Sequence, residues 1–182
     1  MADFDVAHGW NTDRLELEPL AEAHAAELAA PFDDPALHEF IGGSPVPEAA
    51  LAARYAKLQE RRSPDGEQVW GNWVLRVRDS GVAIGYVQAT LPTGGPYAGP
   101  AEVAWVVART GQGHGYAREA AASLIDRLHA AGWTVIAHVH PGHLASQRVA
   151  AAAGLRPTDQ IIDGEVRWIS EPAPRRQALK EA

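Results

Sequence analysis

Residues 101–118 read AEVAWVVARTGQGHGYAR and combine a strand pattern, a glycine-rich turn and the start of a helix pattern. The first seven residues are apolar except for Glu102, a pattern that predicts a strand from Ala101 to Val107. The next stretch, Tyr116 to Ala131, carries an apolar stripe at helical spacing and predicts a helix. A second strand is predicted from Trp133 to Val139. Two strands joined through a helix in this way run parallel and are connected by a right-handed crossover.

The glycine-rich turn between this strand and this helix, Gly111 to Gly115, is the most informative part of the stretch. Glycine permits tight turns and a close approach of the backbone to a ligand. The first amides of the following helix have no partner inside the helix and lie at the positive end of its dipole, so such a turn can hold a pyrophosphate. The alternative is a plain tight turn that begins a helix. Two common phosphate motifs do not fit, because Tyr116 occupies the third glycine position of G-x-G-x-x-G and no lysine follows the glycines as a P-loop requires.

The remainder of the chain alternates between strand and helix patterns. Strands are predicted at 12–19, 68–77, 81–91, 155–162 and 165–170, and helices at 20–32, 47–62 and 144–153. Pro31 and the Asp33-Asp34-Pro35 cluster are expected to end the first helix. Short turns within 68–91 and 155–170 predict antiparallel hairpins, and the glycine- and proline-rich segment 91–100 predicts an irregular loop. We therefore expect a mixed α/β fold, with a mostly antiparallel, twisted sheet of about seven strands flanked by helices.

Composition narrows the possible functions. The 182 residues, 46% of them hydrophobic, suit one domain spanning 1–182, with a core at about 12–170 and a flexible tail at 171–182. The absence of cysteine excludes disulfides, cysteine-bound zinc and thiol catalysis. The net charge of −7 argues against a nucleic-acid partner. No apolar run approaches the ~20 residues of a membrane span and the first residues do not resemble a secretory signal, so we expect a cytoplasmic protein that does not bind membranes.

The turn also fits a third pattern. Residues 112–117, QGHGYA, fit Q/R-x-x-G-x-G/A and resemble the acyl-CoA pyrophosphate loop of the GCN5-related N-acetyltransferase (GNAT) superfamily. The sequences TDRLELEPL at 12–20, AEVAWVV at 101–107, REAAASLIDRL at 118–128 and HLASQRVAAAAGL at 143–155 resemble its RimJ/RimL-like branch, which acetylates the N-termini of ribosomal proteins. The resemblance extends from about Thr12 to Ser170.

The resemblance implies an N-acetyltransferase that moves an acetyl group from acetyl-CoA directly to a primary amine, without a metal. The acceptor is expected to be a protein N-terminus or a small-molecule amine, and the negative net charge favours a cationic one. A homodimer is the base-rate expectation for the oligomeric state. The alternative is a non-catalytic CoA-binding sensor or interaction module on the same fold.

The resemblance also implies where the coenzyme binds. In this family the strand before the loop separates from its parallel neighbour, and its open backbone groups bond the pantetheine arm. Arg109, Arg118 and Arg148 are candidates for binding the 3′-phosphate, with plain surface charges as the alternative. His143 stands where the family often has a pantetheine-binding asparagine, and an imidazole offers fewer hydrogen bonds than an amide. The other expected coenzyme contacts are Trp105, Val106 and Val107 for pantetheine, and the amides of Gln112, Gly113, His114, Gly115, Tyr116 and Ala117 for the pyrophosphate.

Two residues are catalytic candidates under this resemblance. Glu102 matches a frequent family glutamate, and partial burial would raise its pKa and suit a general base. An exposed charge at a strand end, with deprotonation by solvent, is the alternative. Ser146 would lie near the CoA sulfur, where its hydroxyl can protonate the thiolate, or it caps its own helix. Ala150 occupies the position of the tyrosine that many relatives use as the acid. A backbone amide near Val106 is expected to polarise the thioester carbonyl.

The sequence also offers candidates for the acceptor site and for a metal site. Trp73 and Tyr97 are predicted to line the acceptor site. His138, His140 and His143 form the pattern H-x-H-x-x-H, which could hold a metal ion. No carboxylate lies near them in sequence and the chain turns between them, so surface and strand-end histidines are the preferred interpretation.

Overall fold

The computed structural model describes residues 4–172, which form one sheet with helices packed on both of its faces. The strands are β1 (Trp10–Asn11), β2 (Leu15–Pro19), β3 (Gln68–Val77), β4 (Ala83–Pro92), β5 (Ala101–Val107), β6 (Val135–Val139), β7 (Arg156–Ile162) and β8 (Glu165–Ser170). The helices are α1 (His24–Phe32), α2 (Pro35–Ile41), α3 (Glu48–Gln59), α4 (Tyr116–Ala130) and α5 (Leu144–Ala152). Short 3₁₀ turns occupy Gly95–Tyr97 and Arg109–Gly111. The predicted tail falls outside the described residues from position 173 onward, and no helix within residues 4–172 is long and apolar enough to cross a membrane.

The eight strands lie in the order β1-β2-β3-β4-β5-β6-β8-β7. Every neighbouring pair is antiparallel except β5 and β6, which are parallel. The predicted mixed sheet, with its crossover through α4, is therefore confirmed. The count of about seven strands was one too low because β1 is two residues long, which is too short for an alternating pattern to show.

The parallel strands β5 and β6 pair over a very short length. Residues 101–102 lie opposite 135–136, and no further pair joins these two strands. Beyond that point β5 stays paired with β4 as far as Val107, whereas β6 stays paired with β8 as far as Val139. The two strands therefore separate and leave a wedge-shaped opening in the middle of the sheet.

Alternation along the strands gives the sheet two differently covered faces. One face packs against α4, so Trp73 of β3 and Leu124 of α4 belong to the larger core cluster. The opposite face packs against α1 and α3, where Val74 of β3 meets Leu28 and Leu51 in a second cluster. Full burial of an aliphatic side chain of this size contributes about 1.5–3 kcal/mol, so each helical layer is held to the sheet by its apolar stripe.

Trp73 is a core residue, which is at odds with its predicted place in an acceptor site. Its side chain is fully buried, and its indole nitrogen donates a hydrogen bond of 3.0 Å to the carbonyl of His8. The ring meets Trp10 edge-on, with 5.0 Å between the ring centroids. Gly71 makes room for it, because a Cβ there would lie 2.2 Å from the Trp73 ring. Alternation turns Trp73 toward α4 and turns its neighbour Asn72 toward the other face.

The N-terminal helices also differ from the prediction. Pro31 lies inside α1 rather than ending it, and α2 begins directly at Pro35. The Asp34 carboxylate caps α2 by accepting a hydrogen bond of 3.0 Å from the Ala36 amide. Proline suits the first turn of a helix because its missing N–H would have no partner there. The same Asp-Pro pair therefore separates one helix from the next, and α2 comes to lie beside the opening between β5 and β6.

Candidate functional site

Three cavities meet where β5 separates from β6. The loop cavity, of about 480 Å³, lies between the end of β5, the turn at 109–115, α2, and the starts of α4 and α5. The wedge cavity, of about 260 Å³, lies between β5 and β6 and is lined by Glu102, His138 and Ser146 among others. The helical cavity, of about 370 Å³, lies between the sheet and the helices α1, α2 and α3. Val106 lines all three cavities and marks their junction.

Each glycine of the turn at 111–115 has a definite structural reason. Gly113 and Gly115 have φ of 79° and 80°, in the left-handed region that side chains disfavour. Gly111 is buried, and a Cβ there would lie 2.9 Å from the Val107 side chain and 3.0 Å from Ile84. The turn is therefore pressed onto the sheet at Gly111 and then reverses direction into α4.

The start of α4 is open to an anion. Its first intrahelical bond runs from the Glu119 amide to the Gly115 carbonyl, at 3.1 Å. The amides of Tyr116, Ala117 and Arg118 therefore have no carbonyl partner inside the helix. No side chain among residues 4–172 caps this helix end, and the same three residues line the loop cavity. Unpartnered amides at the positive end of a helix dipole are suited to bind a phosphate group.

Arg14 braces this turn from the other end of the chain. Its guanidinium donates to the His114 carbonyl at 2.9 Å and to the Glu119 carboxylate at 2.7 Å, and it lies over the Tyr116 ring. Burial alone would raise the pKa of Glu119, but hydrogen bonds from Thr12 and Arg14 hold that pKa below its usual range. No local sequence signal identifies Arg14 as a site residue, because it is 105 positions away from Glu119 in the chain.

The predicted phosphate-binding arginines take different positions. Arg109 and Arg118 line the loop cavity, whereas Arg148 is exposed on α5 and is not among the residues that line it. Arg109 is paired with Asp34 at 3.2 Å, which links the turn to the start of α2. Gln112 donates a hydrogen bond of 2.9 Å to the Val107 carbonyl and so closes the turn against the end of β5.

His143, and not Ser146, caps helix α5. The His143 Nδ1 accepts a hydrogen bond of 3.3 Å from the Ser146 amide, so the ring is neutral and carries its hydrogen on Nε2. The ring packs on Phe40 of α2, with 4.4 Å between the centroids. Burial lowers the pKa of His143. The charge of nearby His140 lowers this pKa further, whereas the charge of Glu39 raises it, and the net effect is a lowered pKa. The interpretation of Ser146 as its own helix cap is therefore wrong, and Ser146 instead lines both the loop cavity and the wedge cavity.

Glu102 and His138 form a hydrogen-bonded pair in the wedge cavity. Glu102 Oε1 lies 2.8 Å from His138 Nδ1, and an ionised carboxylate can only accept, so Nδ1 carries the hydrogen. The Glu102 side chain is 50% exposed, whereas that of His138 is 17% exposed. His138 Nε2 is buried and, within residues 4–172, has no partner. The H-x-H-x-x-H pattern alone suggests a metal site or a surface position for His138, because pairing across two separating strands leaves no local signal in the sequence.

The three candidate metal-binding histidines each have another partner. His138 is paired with Glu102, His140 accepts a hydrogen bond of 3.0 Å from the Gly142 amide, and His143 caps α5. Across the described part of the chain, no three His, Cys, Asp or Glu side chains are grouped so as to hold a metal ion.

The helical cavity has a polar floor and apolar walls. Tyr86, Gln88 and Asn72 form part of its floor on the sheet, and α3 contributes Arg54 and Tyr55. Tyr86, Gln88 and Arg54 also line the wedge cavity, so the two cavities communicate. Burial raises the pKa of Tyr55 and of Tyr86 above the ordinary tyrosine value, so both hydroxyls stay protonated at neutral pH.

Tyr97 lies apart from the three cavities. It is 90% exposed on the 3₁₀ turn after β4 and is not among the residues that line any of them. The structure therefore does not bring together Trp73 and Tyr97, the two residues predicted to line an acceptor site.

Comparisons with known proteins agree with this geometry. The family model for the acetyltransferase (GNAT) domain matches residues 14–156. A solved structure described as a GnaT-family acetyltransferase from Bordetella pertussis is 26% identical, with 89% of this chain and 97% of that chain covered and a TM-score of 0.67. No curated protein sequence matches significantly.

Two other solved structures share the fold at lower identity. RimL, a ribosomal L7/L12 α-N-protein acetyltransferase solved with coenzyme A, is 13% identical, with 88% of this chain and 95% of that chain covered and a TM-score of 0.71. AAC(6')-Ib, solved with paromomycin and acetyl-CoA, is 18% identical, with 87% and 94% covered and a TM-score of 0.69.

The contact of Arg14 with the turn predicts that a substitution at position 14, far from the turn in sequence, weakens ligand binding in the loop cavity. In Arg14→Gln the turn loses its bond to the His114 carbonyl, and we expect the Kd for acetyl-CoA to rise by roughly fivefold, equivalent to about 1 kcal/mol. Calorimetric titration measures this. Arg156→Gln, an exposed arginine on β7, is the matched control and should bind as the wild type does. Equal affinity of Arg14→Gln and the wild type would show that the brace does not position the turn.

The cap formed by His143 predicts a pH dependence of stability. Its pKa is lowered in the folded state, so below about pH 6.5 the unfolded chain binds more protons, and stability falls as the pH drops toward the lowered pKa. In His143→Asn an amide oxygen can accept the same hydrogen bond without titrating. Thermal unfolding between pH 7 and 5 should therefore show a shallower loss for His143→Asn than for the wild type or for His8→Asn, a control at an exposed histidine. Identical slopes for all three proteins would exclude a titrating cap.

Proposed function

The chain belongs to the GNAT acetyltransferase family and is therefore an acetyl-CoA-dependent acyltransferase, and from this premise we propose that it transfers the acetyl group directly to a primary amine. The observation that carries the proposal is the meeting of three cavities at Val106. The loop cavity would hold the coenzyme, the wedge cavity the reacting atoms, and the helical cavity the body of the acceptor.

The opening beside β5 supports the proposed coenzyme site. Past residue 102 the strand has no neighbour on its β6 side, so backbone groups of Trp105, Val106 and Val107 are available to the pantetheine arm as to an added strand. The pyrophosphate would be held by the amides of the turn and of the first residues of α4. Arg109 and Arg118 remain the candidates for the 3′-phosphate, because both line the loop cavity.

Glu102 is the proposed general base. The neutral amine forms a C–N bond to the thioester carbonyl, and its excess proton passes to the Glu102 carboxylate directly or through one water. His138 Nδ1–H holds one carboxylate oxygen in place, which leaves the other oxygen available to the amine. The half-exposed position of Glu102 suits the return of that proton to solvent after each turnover.

Departure of the thiolate involves the other side of the wedge cavity. When the C–S bond breaks, the proposed acid is the hydroxyl of Ser146, which lies where the loop cavity and the wedge cavity adjoin. A backbone amide near Val106 would stabilise the developing oxyanion. A direct transfer without an acyl-enzyme fits this residue set, since the chain has no cysteine and the Ser146 hydroxyl has no hydrogen-bonded base within residues 4–172.

The acceptor is a protein N-terminus or a small-molecule amine under this proposal. The resemblance to the RimJ/RimL-like branch, and the fold shared with RimL, favour an N-terminal amine by analogy. The fold shared with AAC(6')-Ib, which was solved with paromomycin, is also consistent with a small-molecule amine as the acceptor. Acetyl-CoA-dependent thiol release over a panel of peptides, amino acids, polyamines and aminoglycosides tests the proposal.

The second candidate function is a CoA-binding module without catalysis. It would use the same loop cavity, whose lining includes neither Glu102 nor any other residue proposed to contact the acceptor amine. Calorimetry with acetyl-CoA and the thiol-release panel separate the two functions. Binding of acetyl-CoA together with no release on any amine would establish the module and contradict the transferase.

The role of Glu102 predicts a specific kinetic effect. Glu102→Gln should lower kcat by about 10²–10⁴ with little change in the Kd for acetyl-CoA, because the base acts on the amine and not on the coenzyme. Glu16→Gln, at an exposed position of β2, is the control and should keep wild-type turnover. Unchanged turnover of Glu102→Gln at neutral and mildly acidic pH would remove Glu102 from the mechanism.

A further inference from the structure

The helical cavity has a local charge opposite to the net charge of the protein. Arg54 of α3 lines both the helical cavity and the wedge cavity. Among residues 4–172 it forms no ion pair and no side-chain hydrogen bond. No Asp or Glu of the described residues lines the helical cavity. Where the two cavities join, the chain therefore presents a positive charge with no protein carboxylate paired to it.

The deep part of the same cavity is polar but uncharged. Tyr55 is 2% exposed, and its hydroxyl is buried without a partner among the described residues. Asn72 is 8% exposed on the sheet side, between apolar walls that include Leu20 and Phe32. A buried hydroxyl without a partner costs free energy unless a bound molecule supplies the hydrogen bond. An ammonium group placed there would find no carboxylate and would be strongly disfavoured.

We propose that the acceptor is a free amino acid with an uncharged side chain. Its α-carboxylate pairs with Arg54, its α-amine lies toward Glu102 in the wedge cavity, and its side chain fills the helical cavity as far as Tyr55. The planar guanidinium of Arg54 can donate two parallel hydrogen bonds to the two oxygens of a carboxylate. This bidentate contact would fix the orientation of the acceptor. The inference rests on the proposed function, because the amine it orients is the nucleophile of that reaction.

The size and charge of the helical cavity separate this acceptor from the other classes. A volume of about 370 Å³ is near the lower end of small-molecule sites, which suits one amino-acid side chain rather than an oligosaccharide. Polyamines and aminoglycosides carry several positive charges. Glu102 and Glu165 of the wedge cavity can pair with one amine, but in the helical cavity Arg54 repels the remaining charges and no carboxylate attracts them. The net charge of −7 favours a cationic acceptor. Distant surface charges are screened by salt, however, so the charged side chains that line a cavity have the larger effect on what it binds.

The reaction balances with acetyl-CoA as the second substrate. The α-amine nitrogen forms an amide bond to the acetyl carbon while the C–S bond breaks. One amine proton goes to Glu102 and then to water. The thiolate takes a proton from water, either directly or through the Ser146 hydroxyl, which donates its proton to the sulfur and regains one from water. The products are an N-acetyl amino acid and free coenzyme A.

The test compares acceptors that differ in the carboxylate alone. Thiol release from acetyl-CoA is measured with L-phenylalanine, L-phenylalaninamide and phenethylamine, and with the L-methionine series built in the same way. Spermidine and a ten-residue peptide with a free N-terminus complete the panel. We expect the free acids to have kcat/KM at least about tenfold above their amides and amines. Spermidine and the peptide should have a kcat/KM lower than that of the amides and amines.

Variants on α3 test whether Arg54 is the residue responsible for the preference for a free carboxylate. Arg54→Gln should remove the preference for the free acid, by raising its KM about tenfold or more, while leaving the amide and the amine unchanged. Arg54→Lys should retain part of the preference, because it keeps the charge without the planar fork. Lys57→Gln, an exposed cation one turn along the same helix, should have no effect.

The possible results separate this inference from the proposed function. Acetylation of amides, amines, spermidine or the peptide at least as efficient as that of the free acids would overturn the inference and leave the transferase standing. An equal effect of Arg54→Gln on acids and amides would also overturn it. Binding of acetyl-CoA without release on any member of the panel would overturn the proposed function and the inference together.

Discussion

The whole site depends on one constraint, the incomplete pairing of β5 with β6. A backbone amide or carbonyl inside a protein needs a hydrogen-bond partner, so a strand released from its neighbour after two residue pairs must find partners elsewhere. On one side β5 keeps its bonds to β4, and on the other side its groups face an opening. The loop cavity, the wedge cavity and the Glu102–His138 contact all lie along that opening. The separation thus leaves backbone groups of β5 available to an extended chain, as the proposed coenzyme site requires.

Local sequence pattern accounts for much of this architecture. The limits of β3, β5 and β8 agree with the sequence analysis, because each strand is a run of apolar or alternating residues between clear turn signals. The turn at 111–115 could be located because glycines at left-handed positions leave a strong local signature. The helix α2 was missed because an Asp-Pro pair was interpreted as a break, although the same pair also caps a new helix.

Features that depend on contacts between distant segments were not accessible from the sequence. The bond from Arg14 to the turn joins residues 100 positions apart, and the pairing of His138 with Glu102 spans 36 positions. Trp73 was misassigned because its type fits either a core or a binding site, and the face it occupies is fixed by the register of the whole sheet. Periodicity defines which residues share a face, but not which face meets a ligand.

In the proposed coenzyme site, amides at the end of β5, in the turn and at the start of α4 bind acetyl-CoA. Hydrogen–deuterium exchange of the protein with and without saturating acetyl-CoA tests it most directly, because the method reports on those backbone amides themselves. We expect slower exchange in peptides covering 103–118 and unchanged exchange in peptides from β7. Unaltered exchange across 103–118 at a coenzyme concentration that saturates binding by calorimetry would contradict it.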